Sequence, residues 1–208
     1  MFISKYNDKM YNACCQDYMN YIDEHVNNVH KAFEKLFVNV PQERFIDGIH
    51  NNPELLKKLE EDIKHHDESK YSDKEFEGYR GKYNQTPDEK AITDEDLIRI
   101  RDLNAEEAWH HHYITNYHHP QFWLYVSIHG KDEFGLPTYW VGHPEPNPEP
   151  YTMPLIAILH MICDWEAMSM KFNTSTVKWW EEDSEDERKC MTQETIDKVN
   201  ELLPLLFK

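Results

Sequence analysis

Residues 66–76 read HDESKYSDKEF. The stretch opens on an imidazole and a carboxylate side by side, with a lysine three residues after the aspartate. Neutral imidazole and carboxylate oxygen are the ligands that first-row divalent metals take in catalytic sites. Upstream, Asn52-Pro53 supplies an N-cap with proline in the first helical turn, and Leu56, Leu59, Ile63 and His66 continue at helical spacing. That register predicts His66, rather than His65, on the buried stripe. Asp67 then falls at the frayed end of the helix, where a carboxylate and an imidazole can converge on one ion. Downstream, Ser72 and Glu75 have the spacing of a capping box that opens a short helix through Tyr79.

Working outward, the other histidines also cluster. The chain has 13 of them, with groups at His110-His111-His112 and His118-His119. On the N-terminal side, Cys15, Tyr18, Ile22, Val26, Val29, Phe33 and Leu36 recur with the helical period and predict one amphipathic helix from about Tyr11 to Phe37. His25 and His30 both flank its apolar stripe, and periodicity does not choose between them. Pro41 ends this element, and a short helix over Glu43–His50 is expected next. On the C-terminal side, Gly81 to Lys90 reads as a polar connector. Thr93 with Asp96 and Asn104 with Glu107 are successive helix-start signals, so one helix or two in tandem carries His110, His111 and His112. His118-His119-Pro120 sits in the turn beyond, and Phe122 to Val141 reads as a small hairpin or an ordered lid.

Pro154 starts the most apolar helix, Leu155 to about Phe172, with Leu155, Ile158, Ile162, Trp165 and Phe172 as its expected buried face. His160 and Asp164, four residues apart, point the same way on an adjacent face. The run EEDSEDE reads as a solvated loop, and a last helix carries Ile196, Val199, Leu202 and Leu203. The expected architecture is all-α: a single helical domain over residues 1–208, with a metal-site core at about 11–172 and a helical tail at 173–208.

Composition narrows the partners. Lys and Arg number 22 against 39 Asp and Glu, a net charge of -17, which repels duplex nucleic acid and anionic membranes. A small phosphorylated molecule or nucleotide stays compatible, because metal cations and a few basic groups can invert the field locally. The opening residues MFISKYNDKMYN lack an apolar leader, and Cys14, Cys15, Cys163 and Cys190 are expected to be reduced thiols, which together suggest a cytoplasmic protein. No apolar run approaches the ~20 residues that span a bilayer. Isolated His50, His129 and His143 are assigned no role. Trp109, Trp123, Trp165 and Trp179-Trp180 are expected to pack in the core or the lid.

The order His25, His66-Asp67, two later histidine clusters and Asp164 resembles the HD-domain superfamily, an all-helical, metal-dependent hydrolase fold. More closely, HDESKYSDKEF, AWHHHYITNYHHP (108–120) and CDWEAMS (163–169) resemble an HD-related family of small bacterial and phage proteins of uncharacterised function. The resemblance implies an HD-like helical bundle with a small irregular or hairpin lid. It also implies that His25, His66, Asp67 and Asp164 bind a first divalent transition metal (Mn, Fe, Co, Ni or Zn), with Asp67 able to bridge to a second. That second ion would draw on His111 or His112 and His118 or His119, and the sequence does not say which member of each pair faces inward. Lys70 resembles the lysine of the HDxGK motif in HD-GYP phosphodiesterases, although Ser69 replaces the glycine and the GYP segment is missing. In the related pattern a carboxylate stands where this chain has His160.

The activity so implied is hydrolysis of a phosphate ester of a small molecule or nucleotide. Metal-activated water would attack, with Asp67 as the catalytic metal carboxylate, the surplus histidines would shuttle protons, and Lys70 would hold a phosphate oxygen. Two alternatives share the ligand order: a di-iron oxygenase of HD type, and a catalytically silent scaffold whose metal ties helices together while its surface binds a partner.

Overall fold

The computed structural model describes residues 8–207; the start of the chain over 1–7, including most of the segment read as lacking a leader, and residue 208 lie outside it. The described chain is mostly helical. Helix α1 runs Asp8–Phe33 and widens into one π-helical turn at Glu34–Val38. The helix expected over Glu43–His50 is instead a 3-10 turn at Gln42–Arg44 followed by hydrogen-bonded turns. Gly48 there has φ 79°. The His50 ring accepts from the Ile46 amide at 2.9 Å and donates to the Leu36 carbonyl at 2.9 Å. Such side-chain bonds to backbone compete with the helical ladder.

Helix α2, Pro53–Lys64, starts as expected: the Asn52 side chain accepts from the Leu55 amide, and Pro53 occupies the first turn. Its buried stripe is Leu55, Leu59 and Ile63. The helix stops at Lys64, so His66 reaches the interior from the turn beyond, not from the helix itself, while His65 stays exposed. Helix α3 covers Phe76–Tyr83, later and longer than the capping-box reading placed it. The amides of Glu75 and Phe76 bond to the Ser72 carbonyl rather than to its hydroxyl, and the Glu75 side chain turns inward. Helix α4, Pro87–Lys90, lies within the expected connector and has a capping box of its own, Thr86 with Glu89. Helix α5 is one continuous element, Glu95–Thr115. Its cap is Asp94, whose carboxylate accepts from the Asp96 and Leu97 amides. Neither Thr93 nor Asn104 starts a helix.

A short helix α6, Phe122–Tyr125, leads into an antiparallel hairpin of β1, Val126–Lys131, and β2, Pro137–Gly142. Asp132 accepts from the Phe134 and Leu136 amides and shapes its turn with Gly135 at φ 84°. Helix α7, Leu155–Phe172, follows. Helices α8, Thr176–Glu182, α9, Glu185–Lys189, and α10, Gln193–Leu206, complete the chain. The acidic run expected as a loop is thus mostly helical, and Ser184 between α8 and α9 is buried, donating to the Trp180 carbonyl at 2.6 Å.

The chain divides into two compact units. Among the described residues the first comprises 8–24 and 67–112. There α3 and α5 approach closely at Gly78, where a Cβ would come within 2.5 Å of the Asn104 carbonyl oxygen and 2.7 Å of the Ala108 Cβ, so a larger residue would force the helices apart. Tyr18 packs edge-on to Phe76 and against Tyr79. Buried Arg80 is held by Glu89 in a two-pronged pair, by Glu77, and by the face of Tyr11.

The second unit comprises 25–66 and 113–207. Its core gathers Val29, Phe33 and Leu36 from the first helix and its extension, Leu59 and Ile63 from α2, Phe122 and Trp123, and Val199, Leu202 and Leu203 from α10. Helix α7 lies at its centre: every residue from Ile156 to Cys163 is buried, so α7 has no single wet face over these turns. Its expected stripe is corrected at the C-terminal end, where Phe172 is 61% exposed. The four cysteines are unbridged, and no described helix is long and apolar enough to cross a membrane. Replacing fully buried Ile162 by Ala is expected to cost about 3 kcal/mol, and Phe172→Ala under about 0.5 kcal/mol. Urea denaturation of both variants checks this, and similar losses would contradict the assignment of the core.

Candidate metal centre

Three elements of the second unit bring titratable side chains to one buried place. The first helix contributes His25 and the turn after α2 contributes His66, while α7 contributes His160 and, four residues on, Asp164. His25, His66 and His160 are each no more than 4% exposed. His25 Nε2 lies 3.1 Å from His66 Nε2 and 3.1 Å from Asp164 Oδ1, and His66 Nε2 lies 3.8 Å from the same oxygen. The other nitrogen of His66, Nδ1, faces His160 Nε2 at 3.0 Å. His118, from the turn after α5, packs its buried ring against His66 and His160 with centroids 4.4 and 4.6 Å away. Burial raises the pKa of Asp164, but the His25 hydrogen bond and the nearby charge of His25, His66 and His119 outweigh it and hold the carboxyl well below its ordinary range.

These groups can hold a metal, and the fit is testable on geometry. Two imidazole nitrogens and one carboxylate oxygen are a donor set suited to Zn, Fe, Mn, Co or Ni. The triangle they form, with edges of 3.1, 3.1 and 3.8 Å, has its centre about 2.0 Å from each corner, the usual bond length from such an ion to imidazole nitrogen or carboxylate oxygen. The geometry also fixes the outer partner. When His66 Nε2 offers its lone pair, the ring proton sits on Nδ1 and is donated to His160 Nε2.

In the first unit, Asp67 has φ 61° and ψ 18°, the left-handed region that non-glycine residues seldom occupy. Its carboxylate is buried, receives the Lys70 ammonium on Oδ2, and places Oδ1 3.3 Å from His112 Nε2. His112 Nδ1 lies 2.9 Å from Glu75 Oε2, and His111 Nδ1 lies 2.6 Å from Glu75 Oε1. Ser69 donates to Glu75 Oε2 at 3.1 Å. Asp67, His112 and Glu75 therefore form a buried carboxylate–imidazole–carboxylate chain. Burial lowers the pKa of His112, but the charge of Asp67 and the hydrogen bonds to Asp67 and Glu75 outweigh that effect and raise it.

The residues expected at the site are thus distributed as follows. His25, His66 and Asp164 converge in the second unit, with His160 and His118 beside them. Asp67, Lys70 and His112 meet in the first. Of the doublets, His112 and His118 are buried, whereas His111 and His119 are partly exposed. His25, not His30, takes the inward position on the first helix. Trp109, expected in the core or lid, is 40% exposed and stacks on the His112 ring.

Glu75 is the residue that sequence reasoning misplaced. Its distance from Ser72 satisfies the capping-box spacing, and nothing in the sequence reveals that it is fully buried. Glu75→Ala removes an acceptor shared by two imidazoles and a hydroxyl, and is expected to lower stability by about 3 kcal/mol; Glu75→Gln, which keeps the shape, should cost less. Urea midpoints measure both, and an unchanged Glu75→Ala variant would contradict the chain of contacts.

No curated protein and no solved structure matches this chain in the comparisons made. Residues 14–204 match DUF5662, described as a family of unknown function. From within the first helix to near the end of the last, the chain belongs to the DUF5662 family.

Proposed function

We propose that this protein is a metal-dependent hydrolase of a phosphate ester, built on an HD-like helical bundle. The observation that carries the reading is the convergence of His25 Nε2, His66 Nε2 and Asp164 Oδ1 in the interior of the second unit. These three residues would hold one divalent transition metal. A divalent ion bound there supplies Lewis acidity, toward water and toward a phosphoryl oxygen.

Within each unit the chain's own groups have separate roles. Asp164 is ionised across the neutral range, so it contributes full negative charge to the donor set. His160 accepts the Nδ1 proton of His66 and orients that ring. Because His66 spends its second nitrogen on His160, it serves one ion, and His160 acts as a positioning residue. In the first unit, the Asp67 carboxylate lies 3.3 Å from the His112 ring, an ion-pair contact that would favour a protonated imidazole. Lys70, held by Asp67, is a compact cation suited to a phosphate oxygen. The substrate is expected to be a small phosphorylated molecule or nucleotide, since the net charge of -17 disfavours polyanionic polymers and anionic membranes.

Phosphate release from a panel of aryl phosphates and nucleotides, with Mn, Fe, Co, Ni or Zn added, tests the activity. Turnover should fall by about 100-fold or more in His66→Ala and Asp164→Ala. Silence with every metal and substrate would overturn the hydrolase reading. For His160→Ala, metal affinity should weaken by about 10- to 100-fold, read by competition with a chromophoric chelator; unchanged affinity would remove His160 from the site.

A further inference from the structure

Five aromatic side chains of the first unit, Tyr18, Tyr21, Tyr79, Tyr83 and Trp109, line a cavity of about 450 Å³, a size that suits a small organic ligand. Tyr21 stacks on Tyr18 with centroids 6.3 Å apart, Tyr83 stacks on Tyr79 at 6.3 Å, and the two inner rings lie 6.4 Å from each other. Tyr18 and Tyr79 are buried and form the floor. Tyr21, Tyr83 and Trp109, from the first helix, α3 and α5 in turn, are exposed among the described residues. Ring surface held in place by packing and left to solvent is what a flat ligand covers with most gain.

The charges around the cavity are spent on one another. Lys70, the charged residue of its lining, has its ammonium against the buried Asp67 carboxylate, which leaves little attraction for an anion. Burial first, and then nearby charge that includes Asp67 and Glu75, hold the Tyr18 and Tyr79 hydroxyls above the ordinary phenol range, so both rings stay neutral. An anion would meet the field of those carboxylates, and a cation would meet the Lys70 ammonium. The cavity therefore favours an uncharged molecule.

Asn84 supplies the polar contact. It closes α3, where its backbone N–H donates to the Arg80 carbonyl at 2.8 Å and its carbonyl accepts from the Arg80 guanidinium at 3.5 Å. Arg80 is itself buried and paired with Glu77 and Glu89, so the Asn84 backbone is anchored. The half-buried Asn84 side chain lines the cavity and makes no hydrogen bond to the described residues. A side-chain amide offers an acceptor and a donor next to each other, and a partner that satisfies both at once is another amide or a lactam.

We propose that this cavity binds an uncharged, planar aromatic molecule bearing an amide or lactam group, the ring against Tyr21, Tyr83 and Trp109 and the amide at Asn84. Such binding needs neither a metal nor hydrolysis.

Titration of the full chain with benzamide, followed by ligand-observed NMR with chelator present, tests the assignment. Benzoate and benzamidinium have the same flat shape with a negative and a positive charge, and cyclohexanecarboxamide keeps the amide without the aromatic ring. Benzamide should bind at least about fivefold more tightly than each of the three. Tyr83→Ala and Trp109→Ala should each weaken it by about fivefold, and Asn84→Leu, which keeps the bulk and removes the amide, by about tenfold. Thermal melting should show these variants folded, since none of the three side chains is buried. Benzoate or benzamidinium binding as tightly as benzamide, equal binding of cyclohexanecarboxamide, indifference to Asn84→Leu, or no saturable binding of benzamide would each overturn the proposal. Because chelator removes any bound metal, benzamide binding in a chain that releases no phosphate supports the cavity and sinks the hydrolase. A metal-loaded, active chain that does not bind benzamide does the reverse.

Discussion

Two imidazole nitrogens and a carboxylate oxygen that face one another in a protein interior must share something positive. Without a proton or a cation between them their lone pairs would repel, and the burial that packs the surrounding core withholds the water that would otherwise solvate them. His25, His66 and Asp164 are in this situation, at separations of 3.1 to 3.8 Å. The His25–Asp164 hydrogen bond answers it with a proton; a divalent cation, for which the distances leave room, would answer it with a single charge centre. The proposed chemistry and the assignment of His160 follow from this requirement.

The fold meets the requirement by placing donors on the segments that also build the core. Helix α7 is buried all round over its first turns and carries both His160 and Asp164. The first helix presents His25 in register with Ile22 and Val29, which are themselves fully buried. His66 comes from a turn, where the chain leaves α2 and adopts the left-handed conformation at Asp67 in the next residue. The side chains with chemistry are therefore fixed by packing, which holds a donor set in place without a partner to organise it.

The helical character and the inward position of His66 were legible in the sequence, because hydrophobic periodicity and the Asn52-Pro53 start signal depend on local chemistry alone. The hairpin was legible as one of two readings, from β-branched and aromatic residues around Gly130 and Gly135. Other features depend on distant partners and were not. Ser72 and Glu75 have the spacing of a cap, yet the carboxylate is drawn to His111 and His112, 36 and 37 residues away. The choice within His111-His112 and His118-His119 is likewise made by packing, since adjacent residues on a helix or turn point to different surroundings. Phe172 looks like core by composition but lies past the point where α7 is covered. The place of His160 rests on a packing contact that spacing does not reveal, its ring nitrogen lying 3.0 Å from His66.

The central claim concerns a cation, and metal-edge X-ray absorption on protein purified without added metal and then desalted tests it most directly. The account predicts about one transition-metal ion per chain, a nearest shell of nitrogen and oxygen at about 2.0–2.2 Å, outer scattering from imidazole rings, and loss of the signal in His25→Ala. A chain that carries no metal under any loading condition would contradict it. So would a sulfur-dominated shell, or a signal indifferent to His25.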